Sequence, residues 1–213
     1  MHLSDALFGA YLDALAGLDV IRRELILYQT DRIAHLKQAD PKNASEEFMD
    51  QQPVSHELSA DTRTPQKLLH RTTQGEFKLR TTSGGLDARL LGYMMIAQLF
   101  ASWEDRYRER FALALGHSKK NALQSDLFGD LCKIRNAAIH NQGIATQAVE
   151  DATILRWFRR GDLMFISSEH VDFLFDQIDL YITQLCGIQA AKSTNPHSTP
   201  TASTLVVENI HHD

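Results

Sequence analysis

Residues 133–143 hold the side chains of this chain that are best suited to chemistry on a phosphodiester. They run Lys-Ile-Arg-Asn-Ala-Ala-Ile-His-Asn-Gln-Gly and close an otherwise largely apolar helical pattern. Arg135 carries a permanent positive charge with the planar geometry that binds phosphate. His140 is the residue type that exchanges protons near neutral pH. A phosphate binder beside a proton carrier predicts cleavage or transfer at a phosphate ester, and the remaining elements then serve to position this segment.

A helix over residues 121–140 would carry both side chains. At 100° per residue, the large apolar residues of this helix share the side that we expect to face the core: Leu123, Leu127, Leu131, Ile134 and Ala138. Phe128, Cys132 and Ile139 form an adjoining apolar strip, and Arg135 falls inside it. A guanidinium among apolar neighbours needs a partner. That partner could be a carboxylate such as Glu104 or Asp105, a phosphate, or another subunit.

Helix geometry separates Arg135 from His140. Residues five apart diverge by about 140° around an ideal helix. The two side chains meet at one small target only if the helix loosens near Gly143, or if two copies of the chain contribute to one cleft. Asn136 shares a face with His140, so its amide could orient the imidazole. The alternative for His140 is a structural one, in which it caps free carbonyls at the helix end.

The hydrophobic pattern predicts an all-α helical bundle of four to five helices. We expect helices over residues 3–37, 86–115, 121–140, 147–158 and 169–188, with Gly143 as a stop signal after the third. The predicted core stripe of the first helix is Leu7, Tyr11, Ala14, Leu18, Ile21, Leu25 and Tyr28. This stripe could pack within the monomer or against a second chain.

The second and last helices have their own predicted core faces. In residues 86–115 one face holds Leu86, Leu90, Tyr93, Met94, Ala97 and Ala101, and Leu91, Met95, Leu99 and Trp103 broaden it. The charged stretch 104–110 that follows suggests a solvated surface with pairs such as Glu104–Arg108. In the last helix the face is Val171, Leu174, Phe175, Ile178, Ile182 and Leu185. Ser167 and Ser168 predict its N-terminal cap.

Residues 1–190 are predicted to form a single domain. Within it, the polar composition of residues 39–64 predicts a surface loop or a disordered insertion. Residues 76–81 and 162–166 alternate like short strands and could pair into a small ribbon, and residues 83–85 predict a turn that opens the second helix. Residues 191–213 are expected to be a flexible tail.

Net charge, cysteine spacing and hydropathy limit the classes of protein to which this chain can belong. The net charge of −5 argues against a strongly basic groove that binds nucleic acid along its length, but it is compatible with a nuclease in which a few cationic residues converge locally. Cys132 and Cys186 lack the spacing of a zinc site and suggest two free thiols in a reducing cytoplasm. The terminal residues His211 and His212 are a poor metal site, so we expect no metal and no cofactor. Without a signal peptide or a membrane-spanning run, the sequence predicts a cytoplasmic protein.

The motif Arg135-Asn136-Ala137-Ala138-Ile139-His140 resembles the R-(polar)-x-x-x-H signature of HEPN domains, which are all-helical modules of prokaryotic defence and toxin–antitoxin systems. Asn141-Gln142-Gly143 resembles the usual helix exit in that family. The flanking sequences Trp103-Glu104-Asp105-Arg106-Tyr107 and Leu155-Arg156-Trp157-Phe158, with Gly161-Asp162 after it, are similar to one branch of bacterial HEPN-like proteins. The resemblance covers about residues 86–190.

The resemblance implies a metal-independent endoribonuclease that works as a homodimer, with Arg135 and His140 of both chains lining one cleft. His140 would move a proton at the ribose 2′-OH or the leaving 5′-oxygen, Arg135 would neutralise charge on the phosphoryl oxygens, and Asn136 would bind His140 or the phosphate. Glu104 or Asp105 would support Arg135, and Asn141 would support the helix exit. RNA would be the substrate, and a cognate antitoxin or a sensor protein would be a partner.

Two alternatives remain at this point. One is a catalytically inactive HEPN-like module that acts through dimerisation or recognition. The other is a small regulatory helical protein in which the motif is structural.

Overall fold

Helices make up most of the computed structural model, which describes residues 2–58 and 67–194. In chain order the helices are α1 (His2–Ala39), α2 (Glu46–Asp50), α3 (Gln74–Arg80), α4 (Leu86–Ser102), α5 (Arg108–Ala114), α6 (Asp126–His140), α7 (Gln147–Glu150) and α8 (Ser168–Thr194). A π-helical turn at Trp103–Tyr107 joins α4 to α5, and 3-10 turns lie at Pro41–Asn43 and Lys120–Ala122. The predicted all-α class with a small ribbon is confirmed.

The ribbon consists of β1 (Pro53–Leu58) and β2 (Lys67–Thr73), not of the segments that the alternation suggested. The two strands pair antiparallel from Pro53↔Thr73 to Leu58↔Lys67, with an irregularity after His56. The strand predicted at residues 76–81 is wrong, because this stretch lies largely in α3. The second predicted strand, at residues 162–166, is also wrong, since it contributes one isolated bridge between Leu163 and Ile144.

Residues 40–58 of the predicted polar loop are structured, so the prediction of a loop is wrong there. They form the 3-10 turn, α2 and β1. Ser45 caps α2 by accepting a hydrogen bond from the backbone N–H of Phe48 at 3.2 Å. The Lys78 ammonium of α3 lies 2.6 Å from the Asp50 carboxylate, and the buried Gln29 of α1 donates to Asp50 at 2.9 Å. Polar contacts therefore tie this segment to α1 and α3, and residues 59–64 lie outside the described residues.

The first half of α1 packs into the core and the second half does not. Phe8 and Tyr11 are buried, and the Tyr11 hydroxyl donates to the carbonyl of Ile166 before α8. Farther along, Ile21 is 51% exposed and Tyr28 is 54% exposed. The predicted stripe is therefore correct near the N-terminus, whereas Ile21 and Tyr28 lie outside the core and Leu25 is partly buried. In this half of the helix the buried Gln29 instead makes polar contacts with α2 and α3.

The buried side of α4 differs from the main predicted face. Leu86, Leu90 and Met94 are exposed, which corrects that prediction. The buried side chains of α4 are Ala88, Met95, Ile96 and Leu99, and the buried Gly92 lies among them. Neighbouring residues approach α4 most closely on this buried side. A Cβ on Gly92 would lie 3.0 Å from Ile166 and 3.1 Å from the Tyr11 hydroxyl, so small residues mark the side where neighbours come nearest. Met95, Leu99 and Trp103 of the broader predicted face are buried as expected.

The core is built around α6, where aromatic rings stack. The Trp103 ring, at the π-helical turn, stacks on Phe128 with centroids 3.9 Å apart and planes within 5° of each other. Leu127, Leu131 and Ile134 of α6 are almost completely buried, as predicted.

The C-terminal part of the chain follows the predicted order with different lengths. The predicted helix over residues 147–158 is limited to α7, and residues 151–167 run as an irregular segment. Ser167 caps α8 by accepting from the backbone N–H of His170 at 3.3 Å, as predicted. Because α8 continues to Thr194, residues 191–194 of the predicted tail are helical. The rest of that tail, with the terminal histidines, lies outside the described residues. Within the described residues, none of the helices has the length and apolar character that crossing a membrane requires.

Candidate functional site

The motif helix α6 is regular from its cap to its last residue. Ser125 accepts from the backbone N–H of Phe128 at 3.4 Å and begins the helix. Five residues before the end lies Arg135, and His140 is the final helical residue, followed by Asn141 as the C-cap. The predicted end of the helix is confirmed, whereas its start lies at Asp126, after a 3-10 turn. Both motif residues therefore belong to one unbroken helix.

The exit from α6 is fixed by close packing. The backbone N–H groups of Asn141 and Gly143 both bond to the carbonyl of Ala137, at 3.0 and 3.2 Å. Gly143 has a φ of 78°, and a Cβ added there would overlap the hydroxyl of Tyr93. That hydroxyl donates to the carbonyl of Met164 at 2.6 Å. The helix consequently does not loosen before His140, which removes one of the two ways in which Arg135 and His140 could meet.

Arg135 is half-buried and carries an unneutralised charge. Its Nη1 donates to Oδ1 of Asn136 at 2.9 Å, and the Asn136 amide in turn lies 3.6 Å from the Cys132 sulfur. Within the described ranges, Arg135 forms no ion pair. Asn136 therefore contacts Arg135 rather than His140, which differs from the expectation that its amide orients the imidazole.

Of the two acidic residues expected beside Arg135, Glu104 pairs with other cations and Asp105 forms no ion pair with a described residue. The Glu104 carboxylate pairs with Nη1 of Arg108 at 2.9 Å and with Nζ of Lys120 at 3.0 Å. Burial raises the pKa of Glu104, hydrogen bonds from Arg108 and Lys120 lower it, and the net pKa is below the ordinary value. Asp105 is exposed. The predicted Glu104–Arg108 pair is confirmed. Within the described residues neither acid pairs with Arg135, and Glu104 is instead held by Arg108 and Lys120.

His140 is exposed at the end of α6, and no described residue is hydrogen-bonded to its ring. Asn141, the supporting residue expected at the exit, donates from its side-chain amide to the carbonyl of Ile144 at 2.7 Å and so fixes the turn after the helix. The imidazole is thus presented to solvent at the end of α6, next to a turn that the Asn141 side chain fixes.

The exposed side of α6 lies between Arg135 and His140. By helix geometry the two project from opposite edges of that side, about 140° apart. Cys132, Asn136 and Ile139 lie between them, and Ile139 is 52% exposed. A single chain therefore presents the guanidinium and the imidazole as two edges of one accessible surface.

Asp130, which sequence reasoning missed, anchors the segment after α7 to α6. Its side chain is almost completely buried, and Oδ2 accepts from the backbone N–H groups of Ile154 at 2.6 Å and Leu155 at 3.0 Å. Its Oδ1 lies 2.9 Å from Nζ of Lys133, which also donates to the carbonyl of Asp151 at 3.2 Å. An acid at the edge of an apolar helical face was the available signal.

A second connection fixes the other end of that segment. The backbone N–H of Gly161 bonds to the carbonyl of Ala145 at 2.9 Å, and the Ala145 N–H bonds to the carbonyl of Asp162 at 2.8 Å. The N–H of Met164 bonds to the carbonyl of Gly143 at 2.8 Å. Residues 161–164 therefore run alongside residues 143–145, immediately after His140.

The described residues include no cluster of three or more His, Cys, Asp or Glu side chains that could hold a metal ion. The chain matches none of the protein-family models, curated proteins or solved structures with which it was compared.

Proposed function

We propose that this protein is a metal-independent endoribonuclease of the HEPN type that acts as a homodimer. One observation carries the proposal: an arginine that forms no ion pair with a described residue and an exposed histidine lie at the two edges of one accessible helix side, in the order and spacing of the HEPN motif. A purely structural arginine at a half-buried position would be expected to pair with a carboxylate. Arg135 instead keeps its charge available for a phosphate.

The chemistry follows from these two side chains. His140 accepts the proton of a ribose 2′-OH as its oxygen attacks the adjacent phosphorus. The bond from phosphorus to the 5′-oxygen breaks, and a protonated imidazole gives that oxygen its proton. Arg135 neutralises the charge that gathers on the phosphoryl oxygens. The products are a 2′,3′-cyclic phosphate and a 5′-hydroxyl, so DNA, which lacks the nucleophile, is not cut.

A dimer would bring the guanidinium of one chain and the imidazole of the other to the same cleft. Because α6 is regular through His140, its geometry keeps Arg135 and His140 of one chain apart, and a second copy completes the cleft. Exposed apolar residues lie close to the motif and suit a contact between copies. One row of exposed side chains on α4 consists of Leu86, Leu90 and Met94. Tyr93 is adjacent to this row on the helix surface and contacts the exit of α6. Ile139, shortly before the exit of α6 in sequence, and Ile144, shortly after it, are also exposed.

By the same resemblance, we propose that the enzyme belongs to a bacterial defence or toxin–antitoxin system and acts on RNA in the cytoplasm. A cognate antitoxin or a sensor protein would restrain it until it is needed.

The test is an RNA-cleavage assay in EDTA with purified protein and end-labelled RNA. We expect cleavage by the wild type and loss of at least about a hundredfold in rate for His140→Ala and for Arg135→Ala, the size of one general acid–base contribution. His35→Ala, which removes an exposed histidine of α1, is the matched control and should leave the rate unchanged. A 2′-deoxy substitution at the cleaved position should abolish cleavage, and the 5′ fragment should end in a cyclic phosphate.

Two outcomes would overturn the proposal. If cleavage persists in His140→Ala, the imidazole is not the proton carrier. If no RNA is cut although light scattering shows a dimer, the inactive HEPN-like module is the better account.

A further inference from the structure

Three exposed arginines lie within five residues on the irregular segment after α7. We name residues 156–160, which read Arg-Trp-Phe-Arg-Arg, the basic arch. Arg156, Arg159 and Arg160 are exposed, and none of them forms an ion pair with a described residue. Some arginines elsewhere, such as Arg80 and Arg108, pair with carboxylates. Others are also unpaired among the described residues, so the distinguishing feature of the arch is three exposed arginines within five residues. A local surplus of positive charge in a chain with a net charge of −5 indicates an anionic ligand.

The basic arch is held at one end against the motif helix and at the other end against the segment that follows this helix. On one side, Asp130 of α6 accepts from the N–H groups of Ile154 and Leu155. On the other side, Gly161 bonds to Ala145, five residues after His140. The segment that carries the arch therefore runs from the side of α6 at Asp130 to the residues just beyond the end of α6.

The aromatic residues of the arch attach it to α8. The Trp157 ring stacks on the His170 ring with centroids 4.6 Å apart, and Phe158 meets the same ring edge-on at 5.4 Å. Trp157 is therefore already stacked within the protein, and it is half-buried. The arch offers guanidinium groups to a ligand rather than a platform for stacking bases.

We propose that the basic arch binds the sugar–phosphate backbone of the RNA substrate and delivers it to the motif helix. The inference rests on the proposed ribonuclease function and adds the surface that holds the substrate. Guanidinium groups bind phosphate oxygens in a bidentate manner, and contacts to the backbone carry no base information. Binding through the arch is consequently independent of sequence, and its strength falls with salt.

The experiment measures RNA binding in EDTA with full-length protein carrying His140→Ala, so that the RNA stays intact. Fluorescence anisotropy follows labelled single-stranded RNAs of two unrelated sequences across a range of salt concentrations. The test variant adds Arg156→Gln, Arg159→Gln and Arg160→Gln. The matched control instead adds Arg32→Gln, Lys37→Gln and Lys42→Gln, three exposed cations in the last part of α1 and the 3-10 turn after it, and changes the net charge equally.

We expect the test variant to bind both RNAs at least about tenfold more weakly at low salt, with a salt slope shallower by about 2, since each lost phosphate contact removes about 0.7 from a single-strand slope. The control should stay within about twofold of the parent. Equal weakening by both triple variants would overturn the inference, as would unchanged affinity in the test variant. Binding to vesicles of phosphatidylglycerol without binding to RNA would also overturn it.

The two proposals fail in different ways. If RNA binding depends on the arginines of the arch but the wild type never cleaves RNA, the binding surface is supported and the ribonuclease function is wrong. If cleavage depends on His140 but RNA binding does not change when the three arginines are replaced, the ribonuclease function is supported and the binding surface is wrong.

Discussion

The buried carboxylate of Asp130 accepts a hydrogen bond from the backbone N–H of Leu155 at 3.0 Å, which joins the motif helix to the segment that carries the basic arch. The same oxygen also accepts from Ile154, and Lys133 neutralises the charge. One side chain thereby replaces the regular backbone pairing that the irregular segment lacks.

Asp130→Ala should destabilise the fold and release the arch. It leaves two buried N–H groups without an acceptor and Lys133 without its partner, which we expect to lower the free energy of unfolding by about 3 kcal/mol. Asp130→Asn keeps an acceptor oxygen and should cost about half as much. Urea unfolding of both variants measures this difference. An alanine variant as stable as the wild type would show that the contacts to residues 154 and 155 contribute nothing to stability.

Two inactive variants should restore activity when they share a dimer. If Arg135 of one chain works with His140 of the other, a dimer of Arg135→Ala with His140→Ala retains one complete site. Random mixing makes half of the dimers mixed, so co-expression should recover about a quarter of wild-type activity. Cleavage of labelled RNA by the co-purified mixture is the measurement. Recovery near zero in verified mixed dimers would mean that both groups act from the same chain.

Met94→Lys should weaken the dimer while sparing the monomer fold. Met94 is 68% exposed, so a lysine is accommodated in one chain, but an interface that buries it would have to bury the charge. We expect a shift toward monomer in light scattering and a parallel loss of cleavage. Leu113→Lys, which changes a 60% exposed leucine of α5, is the control and should remain dimeric. A fully dimeric Met94→Lys protein would exclude this row of α4 from the interface.

The helical class and the end of α6 were predictable because they depend on local signals. The four-residue spacing of Leu123, Leu127 and Leu131 corresponds to a buried face, and Gly143 adopts the positive φ that ends the helix. The region around Thr73 was predictable in principle and was misassigned. Thr73 accepts from the N–H of Glu76 while Glu76 accepts from the N–H of Thr73, a capping box that begins α3 and outweighs the strand-like alternation.

The remaining features depend on packing between distant elements. Either side of α4 is apolar in sequence, and only the close approach of Ile166 and Tyr11 to Gly92 determines which side is buried. Spacing predicted Arg108 as one partner of Glu104, whereas the other partner, Lys120, is 16 residues away in sequence and could not be found from periodicity. In the candidate site, the finding that no acid of the described ranges pairs with Arg135 required the location of Glu104 beside Arg108 and Lys120.

Acid should loosen the attachment of the arch to α8 through His170. Burial lowers the pKa of His170 below its ordinary value, opposed by weaker effects of the Phe165 backbone and Glu169. Its Nδ1 also accepts from the N–H of Ser167 at 3.1 Å, which requires an unprotonated nitrogen. Because the unfolded chain binds this proton more readily, the contribution of His170 to stability is complete above the ordinary histidine pKa of about 6.5 and is lost as the pH falls toward the lower folded pKa.

The measurement compares the melting temperature of the wild type with that of His170→Phe from mildly alkaline to mildly acidic pH. Phenylalanine keeps a ring against Trp157 but does not titrate, so the difference in melting temperature between wild type and variant should shrink or reverse as the pH falls below about 6.5. Other histidines contribute equally to both proteins and cancel in the difference. A difference that stays constant with pH would show that His170 takes up its proton equally well in the folded and unfolded chain.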